Sequence, residues 1–251
     1  MNNVFNPKRF GKYFLYDLKC GYNNFGINLL ALGMLPFLVY IVCAVLNLIF
    51  TGTFKCNLGD TQIILTLVCY FVVMIAYPVK VYGRYTSRQT GANWITLPAS
   101  SLEKFLSMLL VLAIVLPVAF SLLMYLSNGI LALIYENPSK NLLPILRDRS
   151  IYINGMTSDG IAYYWITYTV LFALGSLIFK KAKVVKTFLS YFLIVFLLLF
   201  IVQEVFFDGA GRPVFSDPGP HAINLFLNLF FIVQILILCG GLYWRIRKIK
   251  Y

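Results

Sequence analysis

Residues 63–79 read IILTLVCYFVVMIAYPV, residues 85–105 read YTSRQTGANWITLPASSLEKF, and residues 107–126 read SMLLVLAIVLPVAFSLLMYL. The two outer stretches are apolar over lengths that suit a bilayer crossing, since a helix spans the ~30 Å hydrocarbon core with ~20 apolar residues. The middle stretch is polar, basic at its start and rich in helix-boundary signals. An apolar helix, a polar break and a second apolar helix make a transmembrane hairpin. The rest of the chain repeats the pattern.

Of the 251 residues, 60% are hydrophobic and only 12% are charged, and the mean hydropathy is +0.81. Soluble domains carry about 25% charged residues, so a soluble fold could not solvate this surface. The apolar runs predict an all-α, polytopic membrane protein with six transmembrane helices, at about 26–50, 61–82, 105–126, 161–179, 187–207 and 222–244. Residues 1–25 precede this domain of 26–244, and 245–251 form a basic tail. No stretch between spans is long enough for a soluble domain.

The net charge of +12 sits at span ends. Four connecting pieces carry sixteen basic residues: Lys8, Arg9, Lys12 and Lys19; Lys80, Arg84, Arg88 and Lys104; Lys180, Lys181, Lys183 and Lys186; Arg245, Arg247, Lys248 and Lys250. The alternate pieces carry five: Lys55, Lys140, Arg147, Arg149 and Arg212. Basic residues beside spans mark the cytoplasmic side, so both termini are expected there. This distribution lacks the basic-aromatic interleaving of a nucleic-acid groove, and no nucleic acid is expected as partner. The lipid bilayer is the expected one. The outer pieces 136–160 and 208–221 (DGAGRPVFSDPGPH) are rich in turn residues.

Residues 6–20 (NPKRFGKYFLYDLKC) open with Asn6 as N-cap and Pro7 at the first helical position. Phe10, Phe14 and Leu18 recur at four-residue spacing among basic residues. The pattern predicts an amphipathic helix on the leaflet surface, with Gly21 closing it before the first span. The alternative is a basic leader that only sets topology.

Within 85–105, Pro98 keeps Leu97 out of the helical region. Ser100 and Glu103 form an S-x-x-E capping box directly before an apolar run. These signals alone describe a connector with a well-capped exit. The mixture of Arg84, Arg88, Trp94, Ile95 and Leu97 also offers steering charge and apolar anchors for a partner.

The layout resembles the ABC-2 type permeases, the membrane subunits of many ABC exporters. Six spans with both ends inside, a basic amphipathic N-terminal helix and a loop between spans two and three carry the likeness. The stretch TGANWITLPASSLEKF (90–105) resembles that family's leucine-proline-small-serine pattern, with Glu103-Lys104 opening span three. The resemblance implies a coupling loop over 83–104 that touches a separate ABC-type ATPase, with contacts on Arg84, Arg88, Trp94, Leu97, Pro98, Ser100, Glu103 and Lys104. It implies paired permeases or a homodimer in a prokaryotic plasma (inner) membrane, with ATP used only by the partner. A non-transporting membrane scaffold or assembly protein is the alternative.

No catalytic or cofactor motif is present. The sequence contains no G-x-x-x-x-G-K-[ST], H-E-x-x-H or G-x-S-x-G. A single histidine, His221, cannot build a multi-histidine metal site. Five cysteines, Cys20, Cys43, Cys56, Cys69 and Cys239, include no C-x-x-C pair. Mid-span carboxylates and histidines, typical of ion-coupled carriers, are lacking. Gln203, Glu204, Asn224 and Asn228 are the polar residues in or beside the last two spans. They line a cargo path or tie helices together. Tyr163, Tyr164, Trp165 and Tyr168 read as an interfacial aromatic belt.

Overall fold

The computed structural model of the protein describes residues 5–52, 59–86, 88–134, 158–206 and 220–249. The connecting pieces 136–157 and 208–219 lie outside the described residues, as does Cys56. Among the described residues the chain is helical, with no strand. Helix α1 is Pro7–Thr51 and α2 is Gly59–Val81. A 3-10 turn, Tyr82–Thr86, and the short α3, Arg88–Thr96, cross to α4, Ser101–Leu110. A π-helical turn, Val111–Val115, joins α4 to α5, Leu116–Ile134. Then follow α6 (Ser158–Ile178), α7 (Lys183–Phe206) and α8 (Pro220–Lys248).

Among the described residues, four helical segments are long and apolar enough to cross a membrane: Pro7–Thr51, Ile64–Thr86, Ser101–Leu131 and Leu229–Lys248; Tyr163–Ile178 is a shorter apolar helix. Large apolar side chains stay exposed on the outer faces, among them Ile27 (86%), Phe192 (61%) and Ile237 (68%). A soluble monomer rarely tolerates apolar patches on this scale. Lipid removes the penalty.

Helix α6 is the hub, packed on α2, α7, α8 and the 82–86 turn, while α1 packs along α2, α4 and α5. Phe120, Phe172, Met108, Leu112, Leu177 and Leu242 are fully buried between them. Two close approaches set the helix spacing. A Cβ on Gly33 would stand 2.7 Å from Leu123, and one on Gly175 would overlap Thr187.

Two sequence expectations are corrected here. Gly21 does not close a separate surface helix, because α1 runs unbroken for 45 residues, ~68 Å and about twice the bilayer core. Gly21 instead lets Tyr77 of α2 lie against the α1 backbone, where a Cβ would meet its ring carbon Cζ at 3.4 Å. The helix ends thirty-one residues later at Gly52, in the left-handed region (φ 71°) that glycine adopts without strain. Trp165 is not a surface belt residue. It is 4% exposed, and its indole N–H donates to the Leu112 carbonyl at 3.0 Å. Leu112 belongs to the π turn, whose altered register frees carbonyls for outside donors.

Candidate functional site

Contacts gather four basic segments at one end of the bundle. Arg9 of α1 pairs with Glu103 of α4, Lys183 of α7 reaches the 82–86 turn, Arg245 of α8 donates to the Leu177 carbonyl of α6 at 3.1 Å, and Phe105 meets Tyr243. The polar break of the sequence lies in the middle of this end.

Each piece of the break is held by a nameable interaction. Ser100 caps α4. Its side chain accepts from Glu103 N–H at 3.2 Å, and the Glu103 carboxylate accepts from Ser100 N–H at 2.8 Å, completing the capping box. Leu97-Pro98 breaks the helix before it, with Ala99 N–H folded back on the Leu97 carbonyl at 2.7 Å. Trp94 is 2% exposed, stacked on Tyr85 at 4.9 Å, and its indole N–H donates to the Tyr13 hydroxyl at 2.8 Å. The Lys104 amine donates to the Trp94 carbonyl at 2.7 Å and sits 4.7 Å from the centre of its ring, a cation–π arrangement.

On the α1 side, the docked face runs Arg9, Tyr13, Asp17, Gly21, Phe25, one residue every four. Asp17 is fully buried. One of its oxygens accepts from Ser107 at 2.7 Å and from Tyr82 at 3.3 Å, while the other has no partner among the described residues. Burying a carboxylate without a cation is costly, so this layer tolerates little rearrangement. On the other side, the Lys183 amine donates to Thr86 Oγ1 at 2.6 Å and to the Gly83 carbonyl, which ties α7 to the same turn. Arg84 is exposed and donates to Asn24 of α1.

The residues expected to face a partner thus divide. Trp94, Glu103 and Lys104 are buried and hold the loop to the bundle. Arg84 and Pro98 face outward, and Leu97 and Ser100 are half-buried. For Arg88 the structure describes the α3 backbone but not the side chain. The same holds for Gln203 and Glu204 in α7 and for Asn224 and Asn228 in α8, so no contact between them is described. Sequence reasoning missed Tyr13, Asp17, Tyr82, Ser107 and Lys183. The one signal for the first two was their four-residue spacing from Arg9.

Among the described residues, the acids of this end, Asp17 and Glu103, are both 0% exposed, whereas Lys8, Lys12, Lys19, Lys180, Lys181 and Lys186 are exposed. The surface there is cationic, with its counter-charges inside. No group of three metal-ligating side chains occurs among the described residues. The arrangement is a fixed, basic, mechanically joined platform. Compared with protein families, with characterised proteins and with solved structures, the chain matches none.

Proposed function

We propose that this chain is the membrane permease subunit of an ATP-driven exporter of the ABC-2 type, coupled to a separate ATPase through residues 83–104. The observation that carries the reading is the loop itself. A 3-10 turn and a short helix cross between two membrane-length helices, the short helix bound by side chains of α1 and α4 and the turn by one of α7. A push on such a segment reaches three helices without loss in a slack connector. The cationic surface around it suits an acidic partner and an anionic leaflet. In this reading α1, α2, α4–α5, α6, α7 and α8 are the six spans, both termini are cytoplasmic, and the membrane is a prokaryotic plasma membrane. Two permeases pair, and ATP binds only to the partner.

One observation favours a second reading, a membrane scaffold without transport. Trp94, Glu103 and Lys104 are spent on internal contacts, as a self-contained connector requires. Purification of a tagged copy from its own membrane, with mass spectrometry of what co-elutes, separates the two. The permease reading expects a P-loop ATPase that is lost when the exposed Arg84 and Pro98 are replaced. Intact, monodisperse protein with no ATPase supports the scaffold.

A further inference from the structure

We infer that Glu103 is the pin that makes the first turn of α1 and the start of α4 one body, so that the N-terminal helix moves with the 82–104 segment. The part that concerns movement rests on the permease reading above.

The ground for it is a reciprocal cap that is missing from α1. In a capping box, an acid or amide at the third helical position reaches back to the N–H of the N-cap residue. In α1 the N-cap is Asn6, whose side chain accepts from Lys8 N–H at 3.0 Å and Arg9 N–H at 3.4 Å. The third helical position is Arg9, which can accept nothing. Asn6 N–H is instead taken by the Glu103 carboxylate, 97 residues away, at 2.9 Å. Glu103 therefore completes two capping boxes, its own at Ser100 and that of α1 at Asn6.

Charge leads to the same place. The first turn of α1 holds Lys8 and Arg9 and no acid, which sets cations against the positive end of the helix dipole. Glu103 supplies the missing negative charge. Arg9 Nε lies 2.8 Å from one of its oxygens and Nη2 lies 2.7 Å from the other. A carboxylate has about four lone-pair sites, and Asn6, Ser100 and the two guanidinium nitrogens fill them. The carboxylate is 0% exposed, so water does not stand in for any of these donors. Release of α1 from this end would leave Glu103 buried with only the Ser100 N–H of these four donors. Glu103 is in this sense a positioning residue.

Two substitutions separate its two caps. Glu103→Gln keeps a side chain that serves a capping box but loses the charge that holds Arg9. Glu103→Ala loses both caps. The measurement is amide hydrogen exchange on the full chain in nanodiscs of phosphatidylethanolamine and phosphatidylglycerol. With Glu103→Gln, amides 6–12 are expected to exchange about tenfold faster, the scale of one lost charged hydrogen bond, while 100–107 hold. With Glu103→Ala both segments accelerate. If Glu103→Ala fails to fold, Arg9→Gln replaces it and should accelerate 6–12 alone. Unchanged exchange at 6–12 in all variants overturns the pin. Where an ATPase co-purifies, Glu103→Gln should retain it and lose most of the stimulation of its ATP hydrolysis. Retained stimulation overturns the shared movement. If no ATPase co-purifies with the unaltered protein, the permease reading and the shared movement fall together, and the exchange data alone decide the pin.

Discussion

The basic end of the bundle and the outer face of α7 are built on opposite rules. At the basic end, polar side chains are matched donor to acceptor across segments far apart in sequence: Arg9 to Glu103, Trp94 to Tyr13, Ser107 to Asp17, Lys183 to Thr86. Along α7, Phe188, Leu189, Phe192, Leu193 and Phe196 are more than half exposed, and the helix is anchored at its root by Lys183 and by Thr187 seated on Gly175. Polar matching specifies one arrangement, because a displaced partner leaves a buried group unsatisfied. An apolar face in lipid specifies little, because one hydrocarbon neighbour serves as well as another. The difference locates stiffness at one end and freedom along α7.

Substitutions can break or sharpen that contrast, read as the unfolding midpoint of the purified protein in one fixed detergent. The largest loss is expected from Trp94→Ala, which removes a buried ring, its stack on Tyr85 and its bond to Tyr13; about 3–5 kcal/mol is typical of such a truncation. A cost no larger than that of an α7 surface change would erase the contrast. Gly175→Ala comes next. The added Cβ would stand 2.7 Å from Thr187 Cβ, a branched side chain held by its own helix, and overpacking of this kind costs about 1–3 kcal/mol. Lys183→Met keeps the stem and removes the donors to Gly83 and Thr86, for about 1 kcal/mol. Trypsin cleavage after Arg84, followed over time, should also quicken in this variant as the turn loosens. Phe192→Ala, on the exposed face of α7, should change the midpoint by less than about 0.5 kcal/mol. A larger loss would mean that α7 packs against a second molecule there.

The sequence makes the local devices legible and the tertiary ones not. Asn6-Pro7 opens α1 and Ser100-x-x-Glu103 caps α4 as their residue types require, since both act within one turn. The docked face of α1 was hidden for a physical reason. Hydrophobic periodicity picks out Phe10, Phe14 and Leu18, but the side that docks mixes a cation, a tyrosine, an acid and a glycine. Such a mixture resembles a solvated face until its partners are known, and those partners lie 56 to 94 residues away. Gly21 misleads similarly, because the same residue serves helix termination and close helix packing. Trp94 and Trp165 look interfacial by type, yet each indole N–H has a buried acceptor, Tyr13 in one case and Leu112 in the other.

The π turn at Val111–Val115 carries a consequence for counting. Its bonds skip one residue more than those of an α-helix, so the rod from Ser101 to Ile134 holds one residue beyond what an unbroken α-helix of equal length needs. Each residue advances an α-helix by about 100°. Removing any one residue from 111–115 would let the rod close into a plain α-helix of the same length, with Leu116, Phe120 and Met124 still in phase with Glu103, Lys104 and Ser107. A single deletion before or after the turn has no bulge to absorb it, and would turn the buried stripe by about 100° relative to the capped start of the rod.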